Sequence, residues 1–107
     1  MPPCQAACAL HQNAQGYITL IAQGKYKEAR DVILRDNPLP SICGRICTHP
    51  CTLACSRANV DEPLHIPGLK RFVMDFGGTD YQLPKPERER PEKIAVVGAG
   101  PAGLMCA

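Results

Sequence analysis

Apolar residues in the first third of the chain recur with a helical period. Ala14, Tyr17, Ile18 and Ile21 stand at i, i+3, i+4 and i+7, the spacing that gathers one face of an α-helix. Asn13 offers a side-chain oxygen to the unpaired amides at the start of that helix, and Gly24 suits its end. In the next segment, about Lys25 to Asp36, Tyr26, Ala29 and Ile33 mark one face with Lys and Arg opposite. Asn37-Pro38-Leu39-Pro40 stops it, because a proline ring disfavours helical backbone in the residue before it. The two segments predict a helical hairpin.

From Ser41 to Arg57 a cysteine falls at every fourth position, interrupted by Gly44 and Pro50. Pro50 suits the first turn of a new helix, which would put Cys51 and Cys55 on one face. A last helix is expected over Pro67 to Phe76, where Leu69, Phe72, Val73 and Phe76 form a stripe of the kind that usually packs a core, with Gly77-Gly78 as the stop. Residues 1–78 are thus expected to form a small all-α bundle. Residues 79–92 read as an extended linker, rich in proline and holding the charged run Lys85 to Arg90. Lys93 to Val97 has the pattern of a buried strand. It runs into Gly98-Ala99-Gly100-Pro101-Ala102-Gly103 and an apolar helix, so residues 93–107 read as the truncated start of a Rossmann βα unit.

Composition adds a constraint. The 107 residues include two Phe, three Tyr, no Trp and eleven Pro, too few large side chains for a core that would hold so short a chain without help. Seven cysteines offer that help. Such a density marks a disulfide scaffold in an oxidising compartment or metal ligation in a reducing one. Neither a basic segment followed by an apolar run nor eighteen consecutive apolar residues occurs, so a signal peptide and a membrane span are not expected and a cytoplasmic setting is. The odd cysteine count also argues against complete pairing. The net charge of +2 is spread among mixed signs, without the basic stripe of a nucleic-acid binder.

Cys43, Cys47, Cys51 and Cys55 cannot all hold one centre from a continuous helix, since twelve residues of helix span about 18 Å. The chain must bend at Gly44 and Pro50, or Cys4 and Cys8 must join. Thiolate is the usual ligand of iron–sulfur clusters. Structural zinc competes, with four Cys or three Cys and a His such as His49, but its usual Cys-x-x-Cys pairs are absent. Buried or redox-active free thiols are the remaining reading.

The string from Asn37-Pro38-Leu39-Pro40 through Cys43-Gly44-Arg45-Ile46-Cys47 to Pro50-Cys51 and Cys55 resembles the N-terminal helical domain of glutamate synthase small subunits and dihydropyrimidine dehydrogenase. Pro3-Cys4, Cys8, Asp61-Glu62-Pro63 and Leu69-Lys70-Arg71-Phe72 extend the resemblance over nearly the whole chain. It implies an α-helical ferredoxin-like domain that carries electrons between a flavin site and a partner through two four-iron, four-sulfur clusters. Cys8, Cys47 and Cys51 match three ligands of one cluster, whose fourth is a Glu or Gln where this chain has Lys70. Cys4 and Cys55 match ligands of the other, whose remaining two lie upstream in the family. These departures imply one cluster held by Cys8, Cys47 and Cys51, with Cys55, Cys4 or Cys43 completing the set. Lys70, Arg71 and Arg45 would raise its potential if they lay beside it, or else are ordinary solvated cations.

In the glycine loop Gly98 permits a tight turn, Gly100 lets backbone approach a pyrophosphate, and Gly103 lets helix pack on strand. The resembling family binds FAD there. The acidic residue expected about twenty positions on would fall beyond Ala107, so Pro84 to Ala107 is expected to be mobile and to bind no flavin by itself. Cys106 is expected to face a core in an intact domain. His11, His49 and His65 have no recognisable catalytic partner, and no catalytic residue is expected in the chain. The leading functional expectation is therefore an iron–sulfur electron-transfer domain of a flavin-dependent NAD(P)H oxidoreductase, with another subunit or domain as acceptor. A zinc module that docks the flavoprotein to a partner, and a thiol–disulfide switch, are its competitors.

Overall fold

The hairpin forms where the periodicity puts it. In a computed structural model describing residues 1–82, 85 and 90–107, helix α2 (Ala14–Ala22) starts at Asn13, whose Oδ1 accepts the Gly16 N–H at 3.0 Å. Gly24, at φ 73°, turns the chain into α3 (Tyr26–Asp36). The end of α3 follows from Pro38: Asn37 is extended, φ −140° and ψ 103°, as a residue before proline must be. A short helix, α1 (Pro3–Ala6), precedes the hairpin. Periodicity cannot reveal an element of one turn, and its signal is the proline pair that opens it.

The cysteine row breaks into α4 (Pro40–Ile46) and α5 (Pro50–Leu53), each with proline in its first turn, followed by a 3₁₀ turn over Ser56–Asn59. Between the two helices His49 takes a left-handed backbone, φ 60°, a conformation unfavourable for a residue with a side chain. It redirects the chain in a single step. Helix α6 (Ile66–Phe76) ends at Gly77, and α7 (Pro101–Cys106) lies near the end of the chain.

Helix α6 joins the hairpin to the cysteine segment, packing on α3, α2 and α4, while α1 packs on α5. Tyr17, Ile33, Ala29 and Val73 are completely buried, and Ala14 and Ile66 nearly so. Helix α4 meets α6 at Gly44, where an added Cβ would sit 3.1 Å from Cγ of Arg71. The absence of a side chain there is what permits the approach. At the far end Arg30, only 3% exposed, donates to the carbonyls of Gly77 (2.9 Å) and Gly78 (3.1 Å) and to Asp80 Oδ1 (2.7 Å), tying α3 to the segment after α6. Buried carbonyls at a helix end need such donors.

Two expectations are corrected by this packing. The stripe on α6 is only partly core: Val73 is buried, whereas Phe72 is 37% and Phe76 70% exposed. Phe72 meets the Tyr26 ring edge-on with centroids 5.3 Å apart, and Phe76 lies 5.1 Å from Phe72. The segment read as linker does not start free at residue 79, since Asp80 is bonded to Arg30 and Lys27 and the Arg30 guanidinium lies over the Tyr81 ring. Residues 93–97 form no strand; Ile94 and Val97 are 87% and 99% exposed. A strand exists only by pairing, and among the described residues nothing pairs with it. The rest of the linker reading, and the beginning of the tail expected to be mobile, fall at positions 83, 84 and 86–89, outside the described residues.

Candidate metal centre

Six of the seven cysteines border two cavities. Cys8, Cys43, Cys47 and Cys51 line one of about 310 Å³. Cys4 and Cys55 line another of about 340 Å³. Ile66 borders both. Beside it is the buried ring of Tyr17, whose hydroxyl donates to the Ile66 carbonyl at 3.3 Å. Burial raises the Tyr17 pKa far above the usual phenol range, and any thiolate at Cys51, Cys4 or Cys8 pushes it the same way. Tyr17 is thus a neutral side chain close to both sets of sulfur.

Local structure explains the grouping. Cys8 comes from the bend after α1, Cys43 from the middle of α4, Cys47 from its end and Cys51 from the first turn of α5. The left-handed turn at His49 brings Cys51 back towards Cys47, and the His49 N–H donates to Cys47 Sγ at 3.4 Å. Cys55 sits beyond the end of α5, buried, on the other side of Ile66.

The wall of the larger thiol set has its own polarity. Asn37, 1% exposed, borders it. Its Oδ1 accepts the Leu39 N–H at 3.0 Å and lies 3.8 Å from Cys43 Sγ. Among the described residues the Asn37 Nδ2 and the His49 Nε2, both buried, find no hydrogen-bond partner. Burial pushes the Cys51 thiol above its ordinary value, and the Lys70 ammonium, also at this cavity, opposes that rise.

The donor chemistry fits a thiolate-bound polynuclear centre. Four soft ligands border one cavity of about 310 Å³. Cys8, Cys43, Cys47 and Cys51 would hold such a group. Of Lys70, Arg71 and Arg45, only Lys70 borders this cavity. Arg45 pairs with Asp75 at 3.2 Å, and the Arg71 stem covers Gly44.

The remaining candidates lie elsewhere. Neither His11, whose Nδ1 is 3.3 Å from the Gln5 carbonyl, nor His65, at the start of α6, lines a thiol cavity. Cys106 is exposed on α7. In the glycine loop Gly98 has φ 114°, a Cβ on Gly103 would run into the Gly98 carbonyl, and Gly100 precedes α7 with open space around it. Asn37 was missed as a site residue, since Asn-Pro reads first as a helix stop. Its local signal is only the side-chain acceptor that Asn can offer two residues on.

The chain is similar to known proteins. The family model described as dihydropyrimidine dehydrogenase domain II, 4Fe-4S cluster, matches residues 1–80. The chain is 42% identical over 107 residues to the NADPH-Fe(3+) oxidoreductase subunit beta of Geobacter sulfurreducens, covering 98% of this chain and 16% of that protein. It is 38% identical over 128 residues to the NADP(+)-dependent formate dehydrogenase subunit beta of Moorella thermoacetica, covering 98% of this chain and 18% of that one. With the NAD-dependent dihydropyrimidine dehydrogenase subunit PreT of Escherichia coli it shares 37% over 106 residues, 96% of this chain and 26% of the relative. The chain therefore spans about a quarter or less of the length of these relatives. Matched by the family model over three quarters of its length, and carrying the thiols that such a domain needs, the chain belongs to the dihydropyrimidine dehydrogenase domain II, 4Fe-4S cluster, family.

Proposed function

We propose that this helical domain holds a four-iron, four-sulfur cluster among Cys8, Cys43, Cys47 and Cys51 and carries electrons within a flavin- and NAD(P)H-dependent oxidoreductase. The observation that carries the reading is the convergence of four thiols from separate segments on one cavity of about 310 Å³. Such a cluster supplies one-electron chemistry at a potential that its surroundings adjust. The chain's own residues hold it, exclude water with α6 and set the local charge through Lys70. Cys4 and Cys55 offer two further thiols at the neighbouring cavity, half the usual set for a second cluster.

A nucleotide partner is supported by the loop Gly98, Gly100 and Gly103 before α7, which suits the pyrophosphate of FAD, and by relatives whose names specify NADPH, NADP(+) or NAD. Two of those relatives are beta subunits, which supports another subunit as electron acceptor. A helical cluster domain leading into a flavin segment is also the order seen in glutamate synthase small subunits. No described helix is long and apolar enough to cross a membrane, and free thiols suit the reducing cytoplasm.

Anaerobic reconstitution with iron and sulfide tests the proposal. The chain should turn brown, absorb broadly in the visible and bind iron and acid-labile sulfide in equal amounts. Colourless protein that instead takes stoichiometric zinc under the same conditions would replace the electron carrier with a structural module.

A further inference from the structure

The turn between α4 and α5 aims a backbone group at sulfur. Cys47 follows α4 in an extended conformation, φ −66° and ψ 144°. His49, two residues on, is left-handed at φ 60° and ψ 48°, a conformation that side chains disfavour. It stands at the start of α5 without a cap bond from its side chain, so the turn is not there to present the imidazole as a cap. Its two backbone groups show what the turn achieves. The His49 carbonyl accepts the Thr52 N–H at 3.0 Å, opening α5, and the His49 N–H donates to Cys47 Sγ at 3.4 Å. Pro50 follows and has no N–H that could compete for the same sulfur. Cys47 is exposed and lines the four-thiol cavity, so the acceptor of this bond is one of the sulfurs that would hold the centre.

We propose that the left-handed turn at His49 serves to hold its backbone N–H on the Cys47 sulfur of the bound centre, and that this hydrogen bond raises the reduction potential. The inference rests on the reading that this cavity holds an iron–sulfur cluster. Hydrogen bonds to the sulfurs are among the factors that set the potential of such clusters. The cause is electrostatic: an N–H dipole stabilises negative charge on sulfur, and that charge grows when the centre accepts an electron. His49 is then a positioning residue that acts through its amide. The role belongs to the main chain and survives loss of the imidazole wherever the turn is kept.

The full chain, labelled with ¹⁵N only at the α-amino nitrogen of histidine and reconstituted anaerobically, provides the test. The His11 N–H is taken by the Cys8 carbonyl at 2.9 Å, and neither His11 nor His65 lines a thiol cavity. Pulsed electron paramagnetic resonance of the reduced centre should detect ¹⁵N coupling in the parent protein and lose it in His49→Gly, which accepts the left-handed turn but carries no label at that position. A chain joined by ligation at Cys47, with an ester in place of the Thr48–His49 amide, exchanges this N–H for an oxygen and keeps every side chain. Its midpoint potential should shift to more negative values at unchanged iron and sulfide content. A parent chain with full iron and sulfide but no ¹⁵N coupling overturns this inference alone, as does coupling that persists in His49→Gly or an unchanged midpoint potential in the ester chain. If the ester chain does not assemble, the label experiment on the parent and His49→Gly still decides. A parent chain that takes up no iron and sulfide overturns the underlying reading instead.

Discussion

The cavities on either side of Ile66 contain the same ligand type in different number, four thiols against two. Spacing does not account for this, because Cys43, Cys47, Cys51 and Cys55 are equally separated along the chain. The turn at His49 does. It brings three of the four round one cavity, and the end of α5 sends Cys55 past Ile66 to meet Cys4. The polar surroundings differ as well. The four-thiol cavity has Lys70 at its wall, whereas Arg57 at the other is held by Asp61 at 2.6 Å. A cation beside the larger thiol set suits a negatively charged centre.

Cysteine replacement should break the contrast most sharply. Cys47→Ser or Cys51→Ser is expected to abolish nearly all iron and sulfide uptake, whereas Cys4→Ser should leave the centre in the four-thiol cavity. Iron and sulfide assays after reconstitution decide it, and equal losses in all three variants would mean that the cavities act as one. The shared wall comes next. Tyr17→Ala should destabilise the domain by about 3–5 kcal/mol, the range for deleting a buried ring, and Tyr17→Phe by about 1 kcal/mol for one lost hydrogen bond. Urea unfolding of the two variants measures this, and a tolerated Tyr17→Ala would show that the wall is made by other residues.

The smallest effect belongs to the clamp at the far end of α6, remote from both cavities. Lys27 and Arg30 hold the Asp80 pKa well below the usual carboxylate range. A depressed pKa stabilises the fold above the unfolded value, near 4, and that contribution is lost as pH falls below it towards the folded value. Asp80→Asn should therefore flatten the acid side of the curve of melting temperature against pH and leave the centre's absorption unchanged. A parallel loss of absorption would couple the clamp to the centre.

Much of this domain is legible along the chain, for reasons that are local. A helical face depends on residues three and four apart, so the hairpin, its Asn13 cap, its Gly24 turn and α6 could be read directly. Soft donors identify themselves by type, and six cysteines could be nominated without a structure. Phe76 illustrates the limit. Its spacing puts it on the stripe of α6, but burial depends on what faces that stripe, and Phe76 meets Phe72 and solvent. Lys93 to Val97 illustrates the same limit, since a strand pattern states a preference that only a partner can satisfy.

The amino-acid order by itself determined the helices, their stops and a supply of thiolate ligands, because each depends on neighbours within a turn or on the chemistry of one side chain. Only the tertiary structure decided which sulfurs share a cavity and that Lys70 and not Arg45 stands beside them. Those outcomes depend on the turn at His49 and on the approach of α4 to α6 at Gly44. Both combine angles over tens of residues, and no short window of sequence contains that sum.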